Sequence, residues 1–160
     1  MGEEVCEVLF DHVKSEVIER ILRDSKTIAV VGLSTNPEKD SHKVPAFLQK
    51  QGYRIMPVHP AAAEILGEKA WRRLKDIPEK VDIVNVFRPP SELMGIVEEA
   101  IERGVKTVWA QEGIVSNAAS EKGEANGLVV VMDKCMLKEY KAHLNELISA
   151  KTISKHNERR

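Results

Sequence analysis

Short apolar runs alternate with helix-like stretches along this chain, and this alternation constrains the fold more than any other feature. Gly52, Gly104 and Gly127 each end a helical stretch just before the next run, as glycines at helix C-termini commonly do. Strands alternating with helices predict a parallel sheet covered on both faces, which is a doubly wound α/β fold. The predicted strands are residues 27–31, 53–58, 82–87, 105–110 and 128–132, and the predicted helices among them are residues 42–51, 91–103 and 117–126.

Additional helices are predicted at the two ends of the chain. Residues 4–23 and residues 136–149 each place apolar side chains on one helical stripe, which is typical of amphipathic helices. Residues 60–80 are less regular and predict only a short helix or strand and a surface turn. We therefore expect a single domain over residues 1–148 and a flexible C-terminal tail over residues 149–160.

The composition argues against several classes of function. The 160 residues are enough for one domain with a core that needs neither disulfides nor structural metal. The net charge of −1 lacks the basic excess of a nucleic-acid-binding protein. Aromatic residues make up only 4% of the chain, which leaves few platforms for stacking bases. We expect no nucleic-acid partner.

Membrane and metal partners are not expected either. The chain has no continuous apolar span of membrane length, and its acidic first residues do not resemble a signal peptide. Cys6 and Cys135 form no CxxC pair, and the five histidines show no metal-ligand spacing. These features predict a cytoplasmic protein without a metal site.

The loop after the first predicted strand favours phosphate binding. The strand ends at Gly32, and a polar loop then leads into a helix. This construction holds phosphate through backbone N–H groups and the helix dipole. Ser34 and Ser41 would add hydroxyl groups, and Lys39 would add a cation. The alternative is a simple strand–helix connection in which Ser41 caps the helix.

The loop departs from the standard dinucleotide and nucleoside triphosphate motifs. It holds only one of the three glycines of Gly-x-Gly-x-x-Gly, and no Gly-Lys-Ser/Thr follows. An NAD site also needs an acid near the end of the second strand to bind the ribose hydroxyl. The chain there reads Val58-His59-Pro60, and the next acid is Glu64. A phosphorylated ribose fits better, as in NADP or coenzyme A.

The loop that begins at Arg88 is expected to be the second main wall of a crevice at the carboxyl edge of the sheet, where ligands bind in such folds. With a strand order of 2-1-3-4-5, the crevice opens between the first strand and the strand that ends at Phe87. Arg88 then either binds a phosphate or carboxylate or pairs with Glu92. Pro89 and Pro90 either form a ledge for an adenine ring or pantetheine arm, or are an ordinary helix start.

Catalytic chemistry has weaker support in the sequence. Glu112 is either a general base or a structural acid, and Cys135 is either a reactive thiol or an inert buried one. No Gly-x-Ser-x-Gly motif is present to assemble a hydrolase triad. We therefore predict no catalytic residues.

Several ordered motifs resemble those of a known family. The chain is similar to the small stand-alone CoA-binding proteins of prokaryotes, which look like the CoA-binding domain of the succinyl-CoA synthetase α-subunit. The resemblance covers about residues 22–145 and implies a Rossmann-like, nucleotide-binding fold with coenzyme A or an acyl-CoA as ligand. The matching segments are VGLSTNPEKDSHKVPAFLQKQGYRIMPVHP, EILGEKAW, DIPEKVDIVNVFRPP, VWAQEGIV and VVMDKCM.

The resemblance also implies roles for individual positions. His59 departs from the family, which more often has Asn between Val and Pro, and Asp133-Lys134-Cys135 resembles a family motif near the C-terminal edge. By resemblance, Gly32, Leu33 and Ser34 approach the CoA phosphates with Lys39 nearby, and Val58, His59 and Pro60 occupy the family's Val-Asn-Pro position. Phe87, Arg88 and Pro89 line the adenosine or pantetheine side, and Gln111, Glu112 and Gly113 lie at the thiol end.

The expected function is therefore CoA binding without ligase chemistry. The synthetase uses a second domain with a phosphohistidine and an ATP-grasp partner, and neither is recognisable in this sequence. A sensor, a carrier or a subunit would fit, with the terminal helices available for a homodimer or a protein partner. The alternatives are a thiol- or acyl-transfer enzyme that uses Cys135 with help from Glu112, and an NADP-linked oxidoreductase.

Overall fold

A computed structural model describes residues 13–158, which form a five-stranded sheet with helices on both faces, and a separate two-stranded hairpin. The helices are α1 (Ser15–Asp24), α2 (Asp40–Lys50), α3 (Pro90–Arg103), α4 (Asn117–Ala125), α5 (Met136–Ala142) and α6 (Leu144–Glu158), the strands are β1 (Thr27–Val31), β2 (Arg54–Val58), β3 (Glu64–Ile65), β4 (Glu68–Lys69), β5 (Ile83–Val86), β6 (Thr107–Ala110) and β7 (Val129–Val131), and Leu74–Asp76 form a 3-10 turn.

The large sheet is parallel throughout, with strand order β2-β1-β5-β6-β7. This confirms the predicted doubly wound α/β fold. When the five strands of this sheet are numbered along the chain without β3 and β4, they lie in the expected order 2-1-3-4-5. Val31 at the end of β1 lies opposite Val58 of β2 and Val86 of β5. These three strands therefore end side by side, and the loops that follow them meet at one edge.

The side chains of the sheet divide between two cores, one on each face. Ala29, Val84 and Val108 pack beneath α3 and α4, whereas their neighbours Ile28 and Trp109 pack beneath α1, α2 and α5. Both sets are fully buried, which explains why the strands read as apolar runs instead of alternating polar and apolar residues. Burying each large side chain contributes about 1.5–3 kcal/mol, so the sheet forms a rigid floor for the loops.

The two ends of the chain differ in part from the sequence predictions. The predicted helix 4–23 is seen from Ser15 onwards, and residues 4–12 lie outside the described residues. The predicted helix 136–149 is two helices, because His143 leaves helical geometry with φ −103° and ψ 14°. The second of these, α6, continues to Glu158 through most of the predicted tail, whose flexibility stays a prediction. Within residues 13–158 no helix has the length and apolarity needed to span a bilayer.

The irregular segment 60–80 extends the sheet beside β2. Strands β3 and β4 form a hairpin whose two turn residues, Leu66 and Gly67, both have positive φ, as tight hairpin turns require. Trp71 then pairs with Val58 as an isolated parallel bridge, and the N–H of His59 donates to the Trp71 carbonyl at 2.8 Å. This pairing brings Arg72 to the loop that follows β2.

Candidate functional site at the carboxyl edge of the sheet

A cavity of about 810 Å³ opens where β1, β2 and β5 end, which is the crevice that the topology predicts. Its volume falls within the range of small-molecule sites. We call it the main cavity. The predicted site residues that line it are Gly32, Leu33, Ser34, Lys39, Ser41, Val58, His59, Pro60, Phe87 and Arg88, and it is also lined by Val31, Arg72, Ser91, Glu92, Gly95, Ile96 and Glu99.

Helix α2 begins at the main cavity without a side-chain cap. Its N-cap residue is Lys39, whose side chain makes no capping hydrogen bond. The interpretation of Ser41 as the N-cap was therefore wrong, because the helix begins at Asp40 and Ser41 lies in its first turn. The first N–H groups of an α-helix carry the positive end of its dipole. The N–H groups of His42 and Lys43 already donate to the Lys39 carbonyl at 2.9 and 3.0 Å, which leaves those of Asp40 and Ser41 for an anion in this part of the cavity.

The loop between β1 and α2 is held in shape by its own side chains. Ser34 Oγ accepts a hydrogen bond from the N–H of Asn36 at 3.0 Å, and Asn36 Oδ1 accepts from the N–H of Glu38 at 3.0 Å. Leu33 is fully buried and packs in the core, so it anchors the loop to the sheet. These contacts fix the loop before any ligand binds.

Gly32 allows this loop to approach the end of β5 closely. It has φ +90°, and a Cβ there would lie 2.9 Å from Arg88 Cδ and 3.0 Å from the Phe87 carbonyl oxygen. Both observations exclude a side chain, since the left-handed region favours glycine and the neighbouring carbonyl belongs to the backbone. The loop after β1 and the loop after β5 therefore form one continuous wall of the main cavity.

Arg88 pairs with an acid and also lines the main cavity. Its Nε and Nη2 atoms lie 2.9 and 2.8 Å from Glu92 Oε2. The side chains of both residues remain almost half exposed, so the pair contributes little to stability. The pairing that the sequence left open is present, and the guanidinium stays at the surface of the cavity.

The loop after β2 is contacted by a cation from beyond β4 that the sequence patterns did not indicate. Arg72 donates from Nη1 to the carbonyls of His59 at 3.1 Å and Ala62 at 2.7 Å, and from Nη2 to the carbonyl of Ala61 at 3.0 Å. No periodic signal marks Arg72, because its position depends on the bridge between Trp71 and β2. Glu92 and Glu99, the acids that line the main cavity, both belong to α3. Glu64, the first acid after β2 in the sequence, lies in β3 and does not line this cavity.

A second cavity of about 510 Å³ adjoins the first and shares Ser41 and Phe87 with it. We call it the adjoining cavity. Its wall includes Gln111, a buried residue whose Nε2 donates to Asn85 Oδ1 at 2.6 Å and whose Oε1 accepts from the N–H of Met136 at 3.3 Å. This network links β5, β6 and the start of α5 beneath the cavity.

Glu112 is not an isolated acid. It lies 2.7 Å from Lys138 Nζ across the adjoining cavity, and its hydrogen bond and charge raise the pKa of Lys138. Gly113 has φ +80°, and its N–H donates to Asp133 Oδ1 at 2.7 Å. Gly113 therefore shapes the loop through a bond within the protein and is not among the residues that line these two cavities.

Two other predicted features are found at helix starts. Cys135 immediately precedes α5, and its half-buried free thiol lines the adjoining cavity. Pro89 is the N-cap residue of α3 and Pro90 its first helical residue, as an ordinary helix start would have them. Among residues 13–158, no group of three His, Cys, Asp or Glu side chains is arranged to hold a metal ion.

Comparisons with known proteins agree with this geometry. A family model described as a CoA binding domain matches residues 26–141. The uncharacterized protein YneT of Bacillus subtilis is 45% identical over 119 residues, which cover 74% of this chain and 88% of YneT. The structure of a hypothetical protein from Pyrococcus horikoshii OT3 superposes with a TM-score of 0.81 at 39% identity, covering 84% of this chain and 94% of that one.

A longer relative shares only this domain. The alpha subunit of acetate–CoA ligase (ADP-forming) II from Pyrococcus furiosus is 34% identical over 98 residues. The matched region covers 61% of this chain but only 21% of that subunit.

Proposed function

The chain belongs to the family of CoA-binding domains, and from this premise we propose that it binds coenzyme A or an acyl-CoA with the pyrophosphate at the loop between β1 and α2. The observation that carries this proposal is the uncapped start of α2, which opens on the main cavity beside Gly32. Backbone N–H groups at a helix start bind phosphate well, and Lys39, Ser34 and Ser41 add a cation and two hydroxyl groups. The fixed shape of the loop lowers the entropy lost on binding.

The remaining charges of the ligand fit the other two walls of the main cavity. Arg88 follows β5 and the segment Val58-His59-Pro60 ends β2, and these two strands flank β1 on either side. Coenzyme A carries a 3′-phosphate in addition to its pyrophosphate, and a guanidinium binds such groups through paired hydrogen bonds. Arg88 would then exchange its Glu92 partner for a phosphate oxygen.

The pantetheine arm would run from the main cavity into the adjoining cavity. The two cavities share Ser41 and Phe87, so they lie side by side at the start of α2. Phe87 and Pro89 would flank the adenosine or pantetheine side. Gln111 and Glu112 would then lie near the thiol or acyl end, with Gly113 supporting their loop.

A binding role without ligase chemistry fits the contacts at the thiol end. Both polar atoms of Gln111 are engaged within the protein, Glu112 pairs with Lys138, and the N–H of Gly113 is bound to Asp133. None of these contacts joins a nucleophile to a base, which covalent catalysis requires. We infer a sensor, carrier or subunit that holds CoA.

Titration calorimetry with CoA, dephospho-CoA and NADP tests this proposal. Arg88→Ala is expected to weaken CoA binding by about 10-fold, equivalent to about 1.4 kcal/mol, because one charge-assisted hydrogen bond is lost. Arg54→Ala is the matched control. Arg54 forms a similarly exposed pair with Glu79, with an Nη2–Oε1 distance of 2.6 Å, but begins β2 at the opposite edge of the sheet.

Three outcomes would contradict the proposal in different ways. No CoA binding below about 1 mM, where the binding free energy is only about 4 kcal/mol, would remove the function itself. Tighter binding of NADP than of CoA would favour an oxidoreductase. Equal CoA affinities for Arg88→Ala and Arg54→Ala would remove Arg88 from the site.

A further inference from the structure

The turn after β2 is folded around one imidazole ring. Nδ1 of His59 accepts hydrogen bonds from the N–H of Ala61 at 3.0 Å and from the N–H of Ala62 at 2.8 Å. A ring nitrogen that accepts from N–H groups carries no hydrogen itself, so the proton of the neutral ring lies on Nε2. The backbone thereby selects one tautomer of His59.

Arg72 fixes the same turn from its other side. Its guanidinium spans the carbonyls of His59, Ala61 and Ala62 at 2.7–3.1 Å. Protonation of Nδ1 would remove the acceptor for two N–H groups and place a second positive charge beside Arg72. The neutral form of His59 is therefore part of the architecture of the turn.

We propose that His59 binds a phosphate oxygen of the ligand as a neutral imidazole that donates its hydrogen from Nε2. This inference rests on the proposed CoA function. His59 is half-buried and is among the residues that line the main cavity, and the hydrogen bonds of its ring within the described part of the chain are both made at Nδ1. The ring therefore offers a donor fixed in direction by the turn.

The charged groups around the main cavity make a cationic imidazole unnecessary. Lys39, Arg72 and Arg88 supply positive charge around the main cavity, and Glu92 and Glu99 line the same cavity from α3. His59 contributes the direction of one hydrogen bond, and the other residues contribute the charge. An asparagine could replace it, because the asparagine side chain carries both an acceptor for the turn and an N–H donor.

Long-range proton–nitrogen NMR spectra of the free and CoA-bound protein test the tautomer directly. His42 is an internal control, because its Nδ1 lies 2.7 Å from the Ser34 carbonyl oxygen and must donate to it. At pH 7 we expect a hydrogen on Nε2 and none on Nδ1 for His59, and a hydrogen on Nδ1 for His42. Addition of CoA should shift the Nε2 resonance of His59. A His59 ring that is cationic or protonated on Nδ1 in the complex would overturn the inference.

Variants at His59 measure its contribution to binding. His59→Asn is expected to keep CoA affinity within about 3-fold, whereas His59→Ala should lose about 10-fold. Unchanged affinity in His59→Ala, while CoA still binds, would refute this inference and leave the proposed function intact. Absence of CoA binding to the unaltered protein would instead overturn both.

Discussion

Three glycines of this chain allow backbone strain and close packing to be separated by single alanine substitutions. Gly32 has φ +90° and a site for Cβ only 2.9–3.0 Å from Arg88 and Phe87 atoms. Gly67 also has positive φ, but nothing lies within 4 Å of its Cβ site. Gly95, inside α3, has neither a positive φ nor a neighbour within 4 Å. An alanine would therefore meet backbone strain and a steric clash at Gly32, backbone strain alone at Gly67, and neither at Gly95.

The expected changes in the free energy of unfolding follow from these differences. Gly67→Ala should cost about 1–2 kcal/mol from the left-handed backbone alone. Gly32→Ala should cost about 2–5 kcal/mol, because overpacking adds about 1–3 kcal/mol to the same strain. Gly95→Ala should stabilise the protein by about 0.5–1 kcal/mol, since alanine loses less backbone entropy in a helix.

Urea unfolding followed by circular dichroism measures all three values in one series. For a domain of this size, Gly32→Ala should lower the melting temperature by roughly 4–20 °C. Gly32→Ala should also abolish CoA binding, because the loop must move away from Phe87. If Gly32→Ala and Gly67→Ala lower the free energy of unfolding equally, the close approach of the loops after β1 and β5 does not constrain the site. The description of these two loops as one wall of the main cavity would then be wrong.

Three further changes probe the core and the adjoining cavity. Burial raises the pKa of Tyr53, so its contribution to the free energy of unfolding is complete below about pH 10 and is lost as the unfolded chain ionises above that pH. Tyr53→Phe should therefore reduce the alkaline fall in stability, measured by urea unfolding at pH 8 and pH 11. An unchanged fall would contradict this expectation. Gln111→Leu should lower the free energy of unfolding by about 2–4 kcal/mol in the same assay, because Asn85 Oδ1 and the N–H of Met136 lose the hydrogen bonds that Gln111 makes to them. A loss below about 0.5 kcal/mol, as is usual for surface substitutions, would contradict this expectation. CoA should slow iodoacetamide alkylation of Cys135, followed by mass spectrometry, and equal rates with and without CoA would exclude the pantetheine arm from the adjoining cavity.

The sheet and the edge that carries the candidate site were predictable because they depend on local patterns and simple topology. The apolar runs gave the five long strands, and parallel order alone places Val31, Val58 and Val86 at one edge. The loops after these strands must then meet, which is why most of the predicted site residues line one cavity.

Other features depended on contacts between distant parts of the chain. Arg72 reaches the site only because Trp71 pairs with β2, and no periodicity signals such a bridge. The partner of Glu112 is Lys138, 26 residues further along the chain, so the pairing could not be inferred from spacing on one helix. The break at His143 interrupts an apolar stripe that continues on both sides, which made two helices look like one.

The central claim is tested most directly by a crystal structure of the protein grown with CoA. Our account predicts the pyrophosphate at the start of α2, with its oxygens within about 2.7–3.2 Å of backbone N–H groups, and with His59 Nε2 and Arg88 in contact with phosphate. The pantetheine arm should pass Phe87 into the adjoining cavity. CoA bound elsewhere, or with its phosphates away from the loop between β1 and α2, would contradict the account.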